Sequence, residues 1–254
     1  MNKDEAQRRT RRSFLGLAAG ALGAAAGYRW LLGSQRDAGI AWPLRKAMEV
    51  NGKIWNTLTP KNAKSERIVG PPDGAAARIN GDIGLSYEGE LDSAVDIDSN
   101  WTINVTHDGQ NKQTKLDLNA WSKCPRAREK ALFCCIEGWS EPISYAGVRF
   151  ADAMDHLQIG RRSDGSHYRY VGLATPDEKY YVSIDMESAR HPQTLLADEQ
   201  NGEPLGFDHG GPIRLIVPIK YGIKSLKRVG RIAFSDARPP DFWHERGYDW
   251  YASL

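Results

Sequence analysis

The chain has 254 residues, 41% of them hydrophobic, with 34 Lys and Arg against 32 Asp and Glu. The formal net charge of +2 rests on the first 26 residues: without Lys3, Asp4, Glu5, Arg8, Arg9, Arg11 and Arg12 the balance is about −1, which excludes a nucleic-acid footprint. Three cysteines (Cys124, Cys134, Cys135) exclude a disulfide framework, and the length suits one full core or at most two domains.

In chain order, Thr10-Arg11-Arg12-Ser13-Phe14-Leu15 opens a weakly apolar stretch running to Ala26. A charged start, a short apolar run and small residues at its end make an export signal, and paired arginines before Phe-Leu point to the twin-arginine route. The run falls short of the roughly 20 apolar residues that a span needs. Residues 1–26 are therefore expected to be a signal, the alternative being a permanent anchor, with Ala24-Ala25-Ala26 offering a cleavage site and the periplasm as destination. Residues 27–75 read as a surface arm with Trp42, Trp55 and Pro60, closed by the breaker cluster Gly70-Pro71-Pro72-Asp73-Gly74. Residues 76–254 read as the main domain.

In that domain Trp101, Ile103 and Val105 alternate with polar residues, which predicts a half-buried strand ending at the Asp108-Gly109 turn. Leu132 to Ile136 reads as a buried strand that runs into a sharp turn at Glu137-Gly138. Val148, Ala151, Met154 and Leu157 recur at helical spacing, with Phe150, Ala153 and Ile159 beside them. Tyr168–Leu173 and Tyr180–Ile184 predict strands. His191-Pro192 is expected to open a short helix through Ala197, followed by an Asn201-Gly202 turn. Ile213–Val217, limited by Pro218, and Ile232–Phe234 complete a mixed α+β pattern richer in strand than in helix.

Two segments carry chemistry. A cysteine at a strand end is rigidly held, and its sulfur suits a soft or high-valent metal rather than magnesium or calcium, although a lone buried cysteine is more often a packing residue. The segment Cys135-Ile136-Glu137-Gly138-Trp139-Ser140 keeps a Cys-x-Glu-x-Trp-Ser pattern. Downstream, Gly210-Gly211-Pro212-Ile213-Arg214-Leu215-Ile216-Val217-Pro218 is followed by Lys220-Tyr221-Gly222 and Ser225-Leu226-Lys227. With Leu195-Leu196-Ala197 and Asn201-Gly202-Glu203-Pro204-Leu205, this ordered set resembles the molybdopterin-binding oxidoreductase family, which includes sulfite oxidases and bacterial periplasmic methionine sulfoxide reductase catalytic subunits. The reductase branch is the closer, over residues 75 to 254.

The resemblance implies a β-rich, sulfite-oxidase-like molybdopterin-binding fold and a single-pterin molybdenum cofactor. It implies Cys135 as metal ligand and catalytic centre, and Asn80, Ile83, Gly84, Thr175, His209, Arg214, Ser225, Leu226 and Lys227 as cofactor-binding positions. Arginine presents a planar fork of donors to a phosphate, and the backbone of the 225–227 turn can cradle an anion. His209 stands where relatives carry asparagine, and Cys134 where the reductase relatives carry arginine. Lys220 and Lys224 are either further cations for the anion or a solvated basic face. Glu137 reads as a hydrogen-bond partner near the ligand, Trp139 as core, and His191 as a site neighbour or a packing residue at a helix start.

The activity implied is two-electron oxygen-atom transfer, in the leading reading reduction of a small-molecule or protein S-oxide by a monomeric catalytic subunit fed by a membrane b-type haem subunit. The alternatives are a sulfite-type oxidase passing electrons to a soluble cytochrome, and a catalytically silent cofactor-binding domain. Gly138, Trp139 and Ser140 stand where animal-type sulfite oxidases place an anion-binding arginine, and no Cys-x-x-Cys-His is present for c-type haem.

Overall fold

The computed structural model describes residues 3–37, 39–58, 73–79, 101–109 and 113–254. The expected cofactor positions Asn80, Ile83 and Gly84, together with Pro60 and residues 70–72, lie outside the described residues. Two compact units are present, Met1–Val50 and Asn51–Leu254.

The N-terminal elements are α1 (Lys3–Gly33), the short pair β1 (Arg36–Asp37) and β2 (Ile40–Ala41), and α2 (Trp42–Leu58). The apolar stretch expected from Phe14 to Ala26 is the middle of α1. No helix among the described residues is long and apolar enough to cross a membrane. The sequence reading of an arm did not anticipate α2, whose Pro43 occupies the first helical turn, where a missing N–H costs nothing.

The larger unit holds β3 (Thr102–His107), β4 (Thr114–Asp117), α3 (Leu118–Ser122), β5 (Arg126–Cys134), β6 (Ser140–Arg149), α4 (Phe150–His156), β7 (Tyr170–Ala174), β8 (Tyr181–Asp185), α5 (Met186–Ala189), β9 (Leu195–Gln200), β10 (Glu203–Pro204), β11 (Arg214–Ile216), β12 (Arg231–Ser235) and α6 (Phe242–Glu245). One five-stranded sheet runs β4-β3-β12-β7-β8, with only the β3–β12 pair parallel. The other runs β10-β9-β6-β5, and β11 also pairs with β9. The main core lies between the two: Val105, Leu173, Ile184 and Phe234 of the first sheet meet Val148, Leu196 and Leu215 of the second. Fully burying each such side chain is worth about 1.5–3 kcal/mol. Turn chemistry follows the residues. Asn201 and Gly202 both take positive φ (52° and 86°), as a two-residue hairpin turn between β9 and β10 requires. Asp117, Asp185 and Asp241 each accept a backbone N–H three residues on, starting α3, α5 and α6.

Three expected elements are corrected. The helix expected from His191 to Ala197 is instead a turn leading into β9. Leu195 and Ala197 join a second apolar cluster with Phe133, Ile143, Tyr145 and Ile216, while Leu196 joins the main core. A strand buried on both faces loses the period-two signal and reads as a short apolar run. The helical pattern from Val148 to Ile159 shrinks to α4, because Val148 belongs to β6, opposite Arg126 of β5. Finally, β5 ends at Cys134, so Cys135 lies in the β5–β6 loop rather than in the strand.

Candidate molybdopterin site

That loop is tightly built. Cys134 pairs with Ser140 as the last register of β5 and β6. Cys135 N–H then donates to Trp139 O (2.9 Å) and Gly138 N–H to Cys135 O (3.1 Å), with Gly138 at φ 90°. A positive φ at this point favours glycine. The Trp139 indole donates to Glu137 (2.9 Å), so Glu137 holds the loop as well as facing outward, and Trp139 is only partly buried against the smaller apolar cluster. The two adjacent thiols part company here. Cys135 is 4% exposed and lines a cavity, whereas Cys134 lies outside that lining and has its sulfur 3.8 Å from Leu132 O, where burial pushes the thiol up.

The cavity, of about 130 Å³, lies where the end of β5, the start of β11, the 3₁₀ turn Gly222–Lys224 and α6 converge. Cys135, Arg214, Ser225 and Lys227 all line it, so four of the sequence-predicted residues meet. A second, smaller recess adjoins it through Phe133, Arg214 and Lys227, and there His209 joins them with Arg78 and Tyr145. Arg214 is on the same face of β11 as Ile216, which turns its guanidinium over the Phe133 and Tyr145 rings (6.0 and 5.5 Å). One arm of that guanidinium donates to His209 O (2.9 Å). Its Nε is buried without a hydrogen-bond partner among the described residues. Lys227 Nζ donates to Asp208 O (2.6 Å), and Ser225 Oγ accepts from Val217 N–H (3.2 Å), leaving the hydroxyl proton to give. Burial, with Arg214 and Lys227 nearby, holds the His209 imidazole below its usual pKa and therefore neutral at pH 7.

Two predicted positions line neither recess. Thr175 is buried in the β7–β8 turn, where its hydroxyl donates to Asp177 (2.6 Å) and accepts from Tyr180 N–H (3.3 Å). Leu226 points into the main core, and its carbonyl accepts from Leu215 N–H (2.8 Å). His191 is buried beside Gln193, whose N–H it accepts (3.2 Å). Lys220 and Lys224 are neither a solvated face nor cations of the cavity: both are buried, with their ammonium groups turned into the protein.

The eight Trp and ten Tyr suit an aromatic-lined cleft, but sequence reasoning did not name its residues. Tyr180, Trp243 and Tyr248 line the cavity with Phe133. The Tyr180 hydroxyl accepts from the Trp243 indole (2.9 Å), and burial pushes this phenol far above its ordinary range. The available signal was the aromatic density of Phe242, Trp243, Tyr248, Trp250 and Tyr251 within ten residues.

Glycine makes the close packing around Lys227 and Phe133 possible. Gly210 takes φ 92°, and a Cβ there would stand 2.6 Å from Lys227 Cβ. Gly210→Ala is therefore expected to lose about 1–2 kcal/mol from the left-handed backbone alone, with more from displacing Lys227; urea unfolding of the variant measures it. Gly222 lies against the Phe133 ring in the same way, which lets the 222–225 turn reach the end of β5.

The donor set fits a molybdopterin. It offers one soft sulfur, and some way along the same wall two cations, one with a buried donor unmatched. Residues 90–243, more than half of the chain, match the oxidoreductase molybdopterin binding domain. Over 140 residues the chain is 32% identical to a putative protein-methionine-sulfoxide reductase subunit YedZ1 of Azospira oryzae, covering 53% of this chain and 51% of that one. Over 159 residues it is 31% identical to the protein-methionine-sulfoxide reductase catalytic subunit MsrP of Xanthomonas campestris, covering 58% and 48%. The chain thus spans about half the length of the curated relatives it matches. Among solved structures, the sulfane dehydrogenase SoxCD of Paracoccus pantotrophus aligns with a TM-score of 0.48 at 20% identity, over 55% of this chain and 39% of that one. By its match over residues 90–243, the chain belongs to the oxidoreductase molybdopterin-binding domain family.

Proposed function

We propose that the protein is an exported molybdenum-cofactor oxidoreductase that removes oxygen from an S-oxide, drawing electrons from a membrane b-type haem subunit. The observation that carries the reading is the meeting of Cys135 with Arg214, Ser225 and Lys227 around one cavity. Cys135 would give its thiolate to the metal. Arg214, Lys227 and the Ser225 hydroxyl would hold the anionic end of the pterin, with neutral His209 beside it as a hydrogen-bonding group. The bound cofactor supplies the two-electron oxygen-atom exchange.

The chain's own residues bind, orient and exclude water. Phe133, Tyr180 and Trp243 form an apolar wall that strengthens every charge interaction inside it. Tyr248, 38% exposed at the cavity, would offer its phenolic O–H as a hydrogen-bond donor to the substrate's oxygen. Glu137, exposed among the lining residues, and the absence of a cation at positions 138–140 disfavour an anionic substrate such as sulfite. The names of the relatives support an S-oxide of methionine type. The arginine pair at 11–12 and the apolar run to Ala26 support export by the twin-arginine route.

The test uses protein exported by its native route. Metal analysis is expected to find molybdenum, and turnover is expected with a sulfoxide and a reduced dye but not with sulfite and cytochrome c. Turnover only with sulfite would replace the reading by the oxidase one, and protein free of molybdenum and pterin would leave a silent domain.

A further inference from the structure

The turn after β11 has two faces. Gly222, Ile223, Ser225 and Lys227 line the cavity. From the same turn Lys220 points the other way and is only 4% exposed. Its Nζ donates to Tyr251 O (2.8 Å), lies 3.8 Å from Asp185 Oδ2 and sits 5.7 Å from the centre of the Tyr251 ring. The backbone agrees. Lys220 bridges Ser253 in antiparallel fashion, and Tyr221 N–H donates to Ala252 O (2.8 Å). The last residues of the chain are thereby laid against the back of the cavity turn. The start of the same C-terminal segment carries Trp243 and Tyr248 into the cavity wall.

Packing alone does not call for an ammonium group there, because burying a charge is costly and an apolar side chain of similar length would fill the space. The cost shows: burial lowers the Lys220 pKa to about 8, against the opposing pull of Asp185, Asp249 and Glu187 and with Lys224 adding to it. We propose that Lys220 is a positioning residue for cofactor loading: its ammonium fixes the C-terminal segment against the back of the 222–227 turn, so that Ser225 and Lys227 on one wall and Trp243 and Tyr248 on the other keep a fixed separation. The inference rests on the cofactor assigned to this site and not on the choice of substrate.

The experiment compares full-length, natively exported wild type, Lys220→Met and, as a control on an exposed turn, Lys179→Met. Molybdenum per folded chain and pterin fluorescence are read alongside circular dichroism. Lys220→Met is expected to fold and to carry about tenfold less molybdenum, the scale on which groups supporting a metal site act, while Lys179→Met loads as wild type does. A pH series checks that the buried amine is the group removed. Between about pH 8 and the unfolded-state lysine value near 10.4, the unfolded chain binds more protons at this site than the folded one, so wild-type stability gains with pH. The melting temperature of wild type minus that of Lys220→Met is therefore expected to rise across that window. Occupancy within about twofold of wild type, a flat difference across the pH series, or a Lys220→Met chain that does not fold, which would assign the lysine to stability, each overturns the proposal. Wild type lacking molybdenum altogether would sink the cofactor assignment itself, a separate failure.

Discussion

Replacing Cys135 by serine or alanine is expected to abolish turnover and to strip molybdenum from the purified protein, while Cys134→Ala keeps most of both. The two side chains are adjacent in sequence but face different surroundings. Cys135 is buried at the cavity, and its backbone is fixed by the bonds to Trp139 and Gly138. Serine at 135 would leave a hard oxygen where the metal takes a soft sulfur. Cys134 lies at the end of β5, outside the cavity, and truncating it to alanine removes one small half-buried group worth about 1 kcal/mol or less. Metal content and kcat measured on the same preparations separate the two. Equal losses at both positions would mean that the ligand has been assigned to the wrong thiol.

The sequence made much of the site legible because its parts are local motifs. The Cys-x-Glu-x-Trp-Ser loop and the Arg214-to-Lys227 segment each show their residue order in one short run. Strands with one solvated side were equally plain, as β3 was from the alternation of Trp101, Ile103 and Val105. The misses have a common origin in burial on both sides. The apolar Leu195-Leu196-Ala197 of β9 sends side chains to two different clusters and so lost its strand period. Lys220 and Lys224 read as cations for the anion or as surface charge because nothing nearby in sequence offers the carboxylates and carbonyls that receive them; Asp185, Asp241 and Tyr251 come from β8 and the C-terminal segment. Which aromatics line the cleft was hidden for the same reason. Tyr180 and Trp243 meet across 63 positions of chain, a distance that no periodicity reports.

The largest stability effect is expected at the Lys224–Asp241 pair. Both side chains are 1% exposed, and the Nζ–Oδ2 separation is 2.5 Å. Breaking a buried pair by removing one partner leaves a charge in a medium that cannot solvate it, at about 3–5 kcal/mol. The two single variants are not equivalent. In Lys224→Met the orphaned Asp241 still accepts from Ser183 N–H (2.8 Å) and from His244 N–H (3.0 Å), so its charge remains partly compensated. In Asp241→Leu the ammonium keeps Ser183 O (3.2 Å), the face of Trp250 (5.1 Å to the ring centre) and the more distant charge of Asp249, the Ser183 N–H loses its acceptor, and α6 loses its cap. Asp241→Leu is therefore expected to be the more damaging. Burial already lowers the Lys224 pKa while Asp241 is present, and without Asp241 the amine is driven further toward neutrality. The double variant removes both charges at once and should recover much of the loss. It should stay below wild type by the unpaired Ser183 N–H, about 1–3 kcal/mol, and by the missing cap, about 1 kcal/mol. Urea unfolding of the four proteins closes the cycle. A double variant as unstable as the sum of the singles would mean that the two side chains do not stabilise one another, and that the contact between β8, the cavity turn and α6 is held by packing alone.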